Sequence, residues 1–163
     1  SSFFETDRRS VLRRYNWPFA TSYPALGLVE ENPNEDWAYS YRYPSAALKI
    51  RRVVTGLGRV DPNPPPYRVG RDAVGKLIYT DQSDAVIECT ADITDSEQLD
   101  SDFVEALSWK LALSAAPSLS RLPKAVDLCR QMYEYTLAVA TQSSANESQQ
   151  NDPLDSEAVR ARG

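Results

Sequence analysis

Residues 35–44 read Glu-Asp-Trp-Ala-Tyr-Ser-Tyr-Arg-Tyr-Pro. Aromatic rings stand at Trp37, Tyr39, Tyr41 and Tyr43, with Ala38, Ser40 and Arg42 between them and Pro44 closing the run. Successive side chains of an extended chain point to opposite faces, so this spacing sets four rings on one side of a strand. Two uses fit such a row. It can stack nucleic-acid bases, or it can be the face by which a strand is clamped into a core.

The remainder of the chain bears on that choice. Its 163 residues suffice for one domain with a real core and a small subdomain. The net charge of −5 argues against avid, unselective DNA binding, which relies on Lys and Arg neutralising phosphates. The charge is unevenly spread. Arg8, Arg9, Arg13, Arg14, Arg51 and Arg52 crowd the first third, whereas the stretch between Lys76 and Lys110 has acidic residues and no basic one. That stretch, which includes Asp81, Asp84, Asp95 and Glu97, is either a solvated acidic face or a surface that repels polyanions.

There is no histidine, which removes the usual Ser-His-Asp and Cys-His nucleophilic machinery. Cys89 and Cys129 sit in apolar patterns and read as buried thiols, too few for a zinc site. Gly56 and Gly58 lack the companions of a phosphate-binding loop. No enzyme, metal site or cofactor is expected, and no apolar run is long enough to span a bilayer.

Around the aromatic row the pattern alternates between helix and strand. Ser2 and Glu5 form a capping box ahead of a helix over 3–15, and Trp17-Pro18-Phe19-Ala20 makes a hydrophobic elbow. Ala47 to Val54 suggests a strand, or a helix-like turn followed by one. The prolines at 64–66 mark a breaker. Residues 67–71, 76–80 and 85–91 then read as a three-stranded meander. A helix capped by Asp100 or Ser101 runs to Ala116 and stops at Pro117. The last helix, from about Ser120 to about residue 148, carries two apolar stripes. One is Leu122, Val126, Cys129, Tyr133, Thr136 and Ala140; the other is Ala125, Leu128, Met132, Tyr135 and Val139. A helix covered on two sides belongs either to a multi-helix monomer or to a subunit that lends one stripe to a neighbour.

The expected fold is therefore α+β. A helical domain (1–36 and 97–149) ends in a long helix, and a small antiparallel β-subdomain spans 37–96. An extended tail over 150–163 is too poor in apolar residues to fold alone. The tail's Leu154, Val159, Arg160 and Arg162 are candidates for binding a partner protein.

In order along the chain, VLRRYNWPFAT, WAYSYRYPSAALKIRRV, DSDFVEALSWKLALSAA and the terminal EAVRARG resemble the tail tubular protein A family, the head-to-tail adaptors of short-tailed bacteriophages. The resemblance covers nearly the whole chain. It implies a virion protein of the tail or neck, assembled in the host cytoplasm. It also implies a ring of twelve copies, docked on the portal protein above and the tail nozzle protein below, through which viral DNA passes without specific binding. It implies neither catalysis, cofactor nor membrane. Arg8, Arg9, Arg13, Arg14, Met132, Tyr133 and Tyr135 then become candidates for the subunit interface, Asp81, Asp84, Asp95 and Glu97 candidates to face the channel, and the tail becomes the portal clamp. Family members commonly carry a further helical segment before the VLRR helix, which this chain is expected to lack through processing, truncation or divergence; a start at Ser1 rather than Met is consistent with residues missing upstream. It also has Ala46-Ala47 where Asp-Cys is common, and Pro117 interrupts a longer alanine-rich run. In such a protein Trp37, Tyr39, Tyr41 and Tyr43 join the β-part to the helices, opposite Trp17 and Phe19. The alternative function is a single-stranded nucleic-acid binding module built on the aromatic strand and Arg42, Arg51 and Arg52.

Overall fold

The computed structural model describes residues 2–57, 61–119 and 121–150. Among the described residues the fold is α+β, with three α-helices and two antiparallel sheets. The chain divides after Phe19 and again after Thr94 into a helical unit and a β unit, Ala20–Thr94.

In the helical unit, α1 (Ser2–Arg14) and α3 (Pro123–Gln150) both pack against α2 (Ser101–Leu119). Glu5 in the first turn of α1 and Arg13 and Arg14 in its last suit the helix dipole. Val11 and Leu12 are fully buried. The elbow folds as a 3-10 turn, Pro18–Ala20, preceded by Trp17, whose indole Nε1 donates to the Val11 carbonyl at 3.1 Å. Phe103 of α2 receives Trp17 and Phe19 edge-on, at centroid distances of 5.2 and 5.1 Å, and Tyr15 meets Trp17 at 5.4 Å. Pro117 lies inside α2 instead of ending it. So near the helix terminus its missing N–H and its ring disturb only the last turn.

The β unit holds two sheets. β1 (Thr21–Ser22), β7 (Val86–Ala91) and β4 (Ala47–Val54) form one, in the order β1-β7-β4. β2 (Leu28–Glu31), β3 (Tyr39–Arg42), β6 (Lys76–Thr80) and β5 (Tyr67–Arg71) form the other, in the order β2-β3-β6-β5. Residues 20–36, which the sequence groups with the helices, supply β1 and β2 and join the sheets. The three late strands do not form a meander. β5 and β6 make a hairpin, but β7 leaves for the other sheet. The chain turns through Asp84, at a left-handed φ of 47°, and Leu26 donates to the Ala85 carbonyl while Ile87 donates to Pro24.

Tyr41 and Ile78 of one sheet meet Ala47, Ile50, Val53, Ile87 and Cys89 of the other, with Tyr39, Tyr43 and Tyr67 packed around them. Tyr39, Tyr41 and Tyr43 of the aromatic row are thus core, while Trp37 is half-buried outside this cluster. The opposing surface of these three tyrosines is the second sheet of their own unit, while Trp17 and Phe19 have their ring partners in Phe103 and Tyr15.

Candidate functional site

The four arginines of α1 separate into two environments. Arg8 is buried beside buried Asp7, whereas Arg9, Arg13 and Arg14 are exposed and share one depression with Thr6 and Ser10. Positions 6, 9, 10, 13 and 14 form a single helical stripe. It carries hydroxyls and guanidiniums and no carboxylate, so its chemistry suits an acidic partner.

The two stripes of α3 also separate. Tyr133, Thr136, Ala140 and Ser144 are buried, with Thr136 Oγ1 returning its proton to the Met132 carbonyl at 2.7 Å. The second stripe lies open. Leu128 is 53% exposed, Tyr135 65% and Val139 43%, with Met132 half-buried between them. Of the three interface candidates on this helix, Tyr135 is on the open side, Met132 borders it and Tyr133 belongs to the inner side. Burial is the main influence raising the Tyr133 hydroxyl pKa; Arg14 pulls it down, and Asp7 pushes it up. Arg14 is close enough to act on this charge, yet Tyr133 Oη has no partner at hydrogen-bond geometry, nor has Asp7 Oδ2. Lys110 Nζ stands 5.5 Å from the Tyr133 ring centre.

The four candidate channel carboxylates are all exposed. Two have local duties that their side-chain chemistry predicts. Asp81 accepts from the Ala38 amide at 2.8 Å, and Asp95 caps a 3-10 turn (Ser96–Gln98) through the Glu97 amide. Among the described residues the Asp84 and Glu97 carboxylates make no bond of this kind. Leu154, Val159, Arg160 and Arg162 lie outside the described residues.

The basic groups near the aromatic row are engaged within the β unit. Arg42 grips Asp72 through two hydrogen bonds of 2.9 Å each. Arg51 donates to Thr90 Oγ1 and Thr21 Oγ1, and Arg52 pairs with Glu88 at 3.4 Å. Sequence reading missed Asp72. The Arg42 bonds, assisted by the Gly75 and Val74 amides, hold its carboxyl well below the usual carboxylate range. The signal was available in Asp72-Ala73-Val74-Gly75, an Asx-type turn, but not the partner across the sheet.

Among the described residues there is no grouping of three His, Cys, Asp or Glu able to hold a metal, and no helix long and apolar enough to cross a membrane. Both cysteines are free thiols. No protein-family model matches the chain, and no curated protein matches it either.

Proposed function

We propose that this chain is the head-to-tail adaptor subunit of a short-tailed phage, one of a ring of twelve between portal and tail nozzle. The observation that carries the reading is the second stripe of α3. Leu128, Tyr135 and Val139 repeat at helical spacing and stay open in the isolated chain. An apolar helix face of this length suits a surface that a neighbouring copy covers. The ordered resemblance of sequence segments supplies the kind of ring. In this reading the helical part is a bundle, the β unit is a separate subdomain, and residues 150–163 serve as a clamp onto the portal. The α1 arginine stripe meets acidic groups of a neighbour or of the portal.

The nucleic-acid module is the weaker reading. A stacking platform needs accessible rings beside a basic groove. Here Tyr41 is buried, and Arg42, Arg51 and Arg52 are bonded to neighbouring side chains. Electron microscopy of the purified chain mixed with portal protein tests the proposal. A ring seated on the portal supports it. A salt-sensitive shift with single-stranded DNA, without portal binding, would favour the alternative.

A further inference from the structure

The four-stranded sheet ends in two edges of unlike character. β2 reads Leu28-Val29-Glu30-Glu31 and is exposed throughout; β5 reads Tyr67-Arg68-Val69-Gly70-Arg71, with Arg68, Val69 and Arg71 exposed. No strand among the described residues pairs with the outer side of either. Unpaired edges invite another chain, and proteins commonly guard them with charge and bulges. These edges carry opposite charge, so each repels its own kind and attracts the other.

The registers of the sheet make the match specific. One transverse row runs Leu28, Tyr41, Ile78, Val69. The next runs Glu30, Ser40, Tyr79, Arg68. The third runs Glu31, Tyr39, Thr80, Tyr67. The first row begins and ends apolar, and the second begins acidic and ends basic. Val29, at the irregularity in β2, stands outside these rows.

Backbone polarity agrees. Gly27 and Asn32 bond inward to β3 through Arg42 and Ala38, and Asp72 bonds inward to Gly75. Because ladder bonds alternate, Leu28 and Glu31 aim their N–H and C=O groups outward on β2, as do Tyr67, Val69 and Arg71 on β5. All neighbours in this sheet are antiparallel, and the strand number is even, so β2 and β5 run in opposite directions.

We infer that β5 of one copy pairs antiparallel with β2 of the next, in a head-to-tail continuation of the sheet. Val69 faces Leu28 and Tyr67 faces Glu31 as hydrogen-bonded pairs, and Arg68 lies beside Glu30. The contact is heterologous, so it leaves an edge open at each end and propagates until rotation closes it. This deepens the ring reading above and rests on it for closure; the pairing itself does not.

Two arms test it on the full chain across tens to hundreds of micromolar. Hydrogen-bonded antiparallel pairs hold their Cα atoms about 5.5 Å apart, which suits a disulfide. Leu28→Cys mixed with Val69→Cys should give a cross-linked dimer under mild oxidation, beyond any formed by the native Cys89 and Cys129. Either variant alone should not, and the double variant should give a ladder. Cross-linking of one single variant with itself, or none in the mixture, overturns the inference. In the second arm, Arg68→Glu should raise the concentration for self-association in sedimentation velocity about tenfold, and adding Glu30→Arg should restore it. Unchanged association in both variants, or no association of the native chain at any concentration, also overturns it. Rings in micrographs without the Leu28–Val69 cross-link would sink this interface and leave the ring reading standing. Cross-linked open ladders that never close would do the reverse.

Discussion

At the residue scale, chemistry and burial give three clear expectations. Phe103 is fully buried and is the ring on which Trp17 and Phe19 converge. Phe103→Ala should destabilise the helical unit by about 3–5 kcal/mol, through lost transfer energy and the cavity left behind. Urea unfolding followed by tryptophan fluorescence measures it. Tyr133 presents the opposite case, a buried hydroxyl without a partner at good hydrogen-bond geometry, although Arg14 is near enough to lower its pKa. Tyr133→Phe should be neutral, or stabilising by up to about 1 kcal/mol, because it removes an unpaid desolvation cost; a fall in stability would mean that the hydroxyl bonds to Arg14 in solution. Asp72 carries a pH dependence. Its folded pKa is depressed by Arg42 and by turn amides. Its contribution is therefore present above the unfolded value of about 4 and is lost as pH falls below it. Asp72→Asn should lower the melting temperature slightly at neutral pH and flatten part of its decline on acidification below about pH 4. The pair is part-buried but still about a third exposed, so screening by solvent keeps the neutral-pH effect small.

At the scale of elements, regular periodicity was legible and its interruptions were not. The strands at 67–71 and 76–80 appear where alternation and turn residues placed them. β4 is different. Ala47, Ile50 and Val53 are its buried residues, at a spacing of three. That spacing looks helical. It arises because register irregularities between Ala47 and Lys49 and between Ile50 and Arg52 each add a residue to a period of two. A sequence cannot distinguish a bulge from a turn when the partner strand is unknown. The stripes of α3 show the complementary limit, since two equal patterns cannot say which faces home. Leu128→Glu with Tyr135→Glu, on the open side, should change the melting temperature of the subunit little, within about 0.5 kcal/mol per site. Ala140→Glu, on the buried side, should unfold the unit by placing a charge where none fits. Circular-dichroism melts compare the two. If the ring reading holds, the open-side pair also abolishes assembly on the portal.

At the scale of the whole molecule, the predictions concern assembly order. The free subunit should be monomeric or weakly associated at low micromolar concentration and form a ring on a portal template, since parts that close early could not be added in sequence. A stable dodecamer without portal, seen by sedimentation, would refute template dependence. Deleting 151–163 should leave the melting temperature nearly unchanged and greatly reduce co-sedimentation with portal, because the segment is too polar to contribute a core. Arg160→Ala with Arg162→Ala should weaken docking in a salt-sensitive manner. Portal binding by the truncated protein as strong as that of the full chain would move the clamp elsewhere, to the α3 surface around Tyr135. The exposed acidic groups Asp84 and Glu97 should face the bore of a ring, where negative walls offer phosphates no binding site. A ring structure with them on the outer rim ends that idea.

The sequence by itself determined the three helices, the strands at 67–71 and 76–80, the absence of the common histidine-based nucleophiles and the apolar character of the aromatic row. Each of these follows from residue chemistry and short-range spacing. Only the tertiary structure decided what the row packs against, because long-range strand pairing is set by which surfaces fit once the chain has turned back on itself. The same is true of Arg42 with Asp72, thirty residues apart along the chain. It is true also of the edge match between β2 and β5, which requires two strands between them to align Glu30 with Arg68 and Leu28 with Val69. Residues of one edge carry no mark of their counterpart until register brings them into a row. Periodicity tells a side chain which face it shares with its neighbours, and only packing tells that face what it will meet.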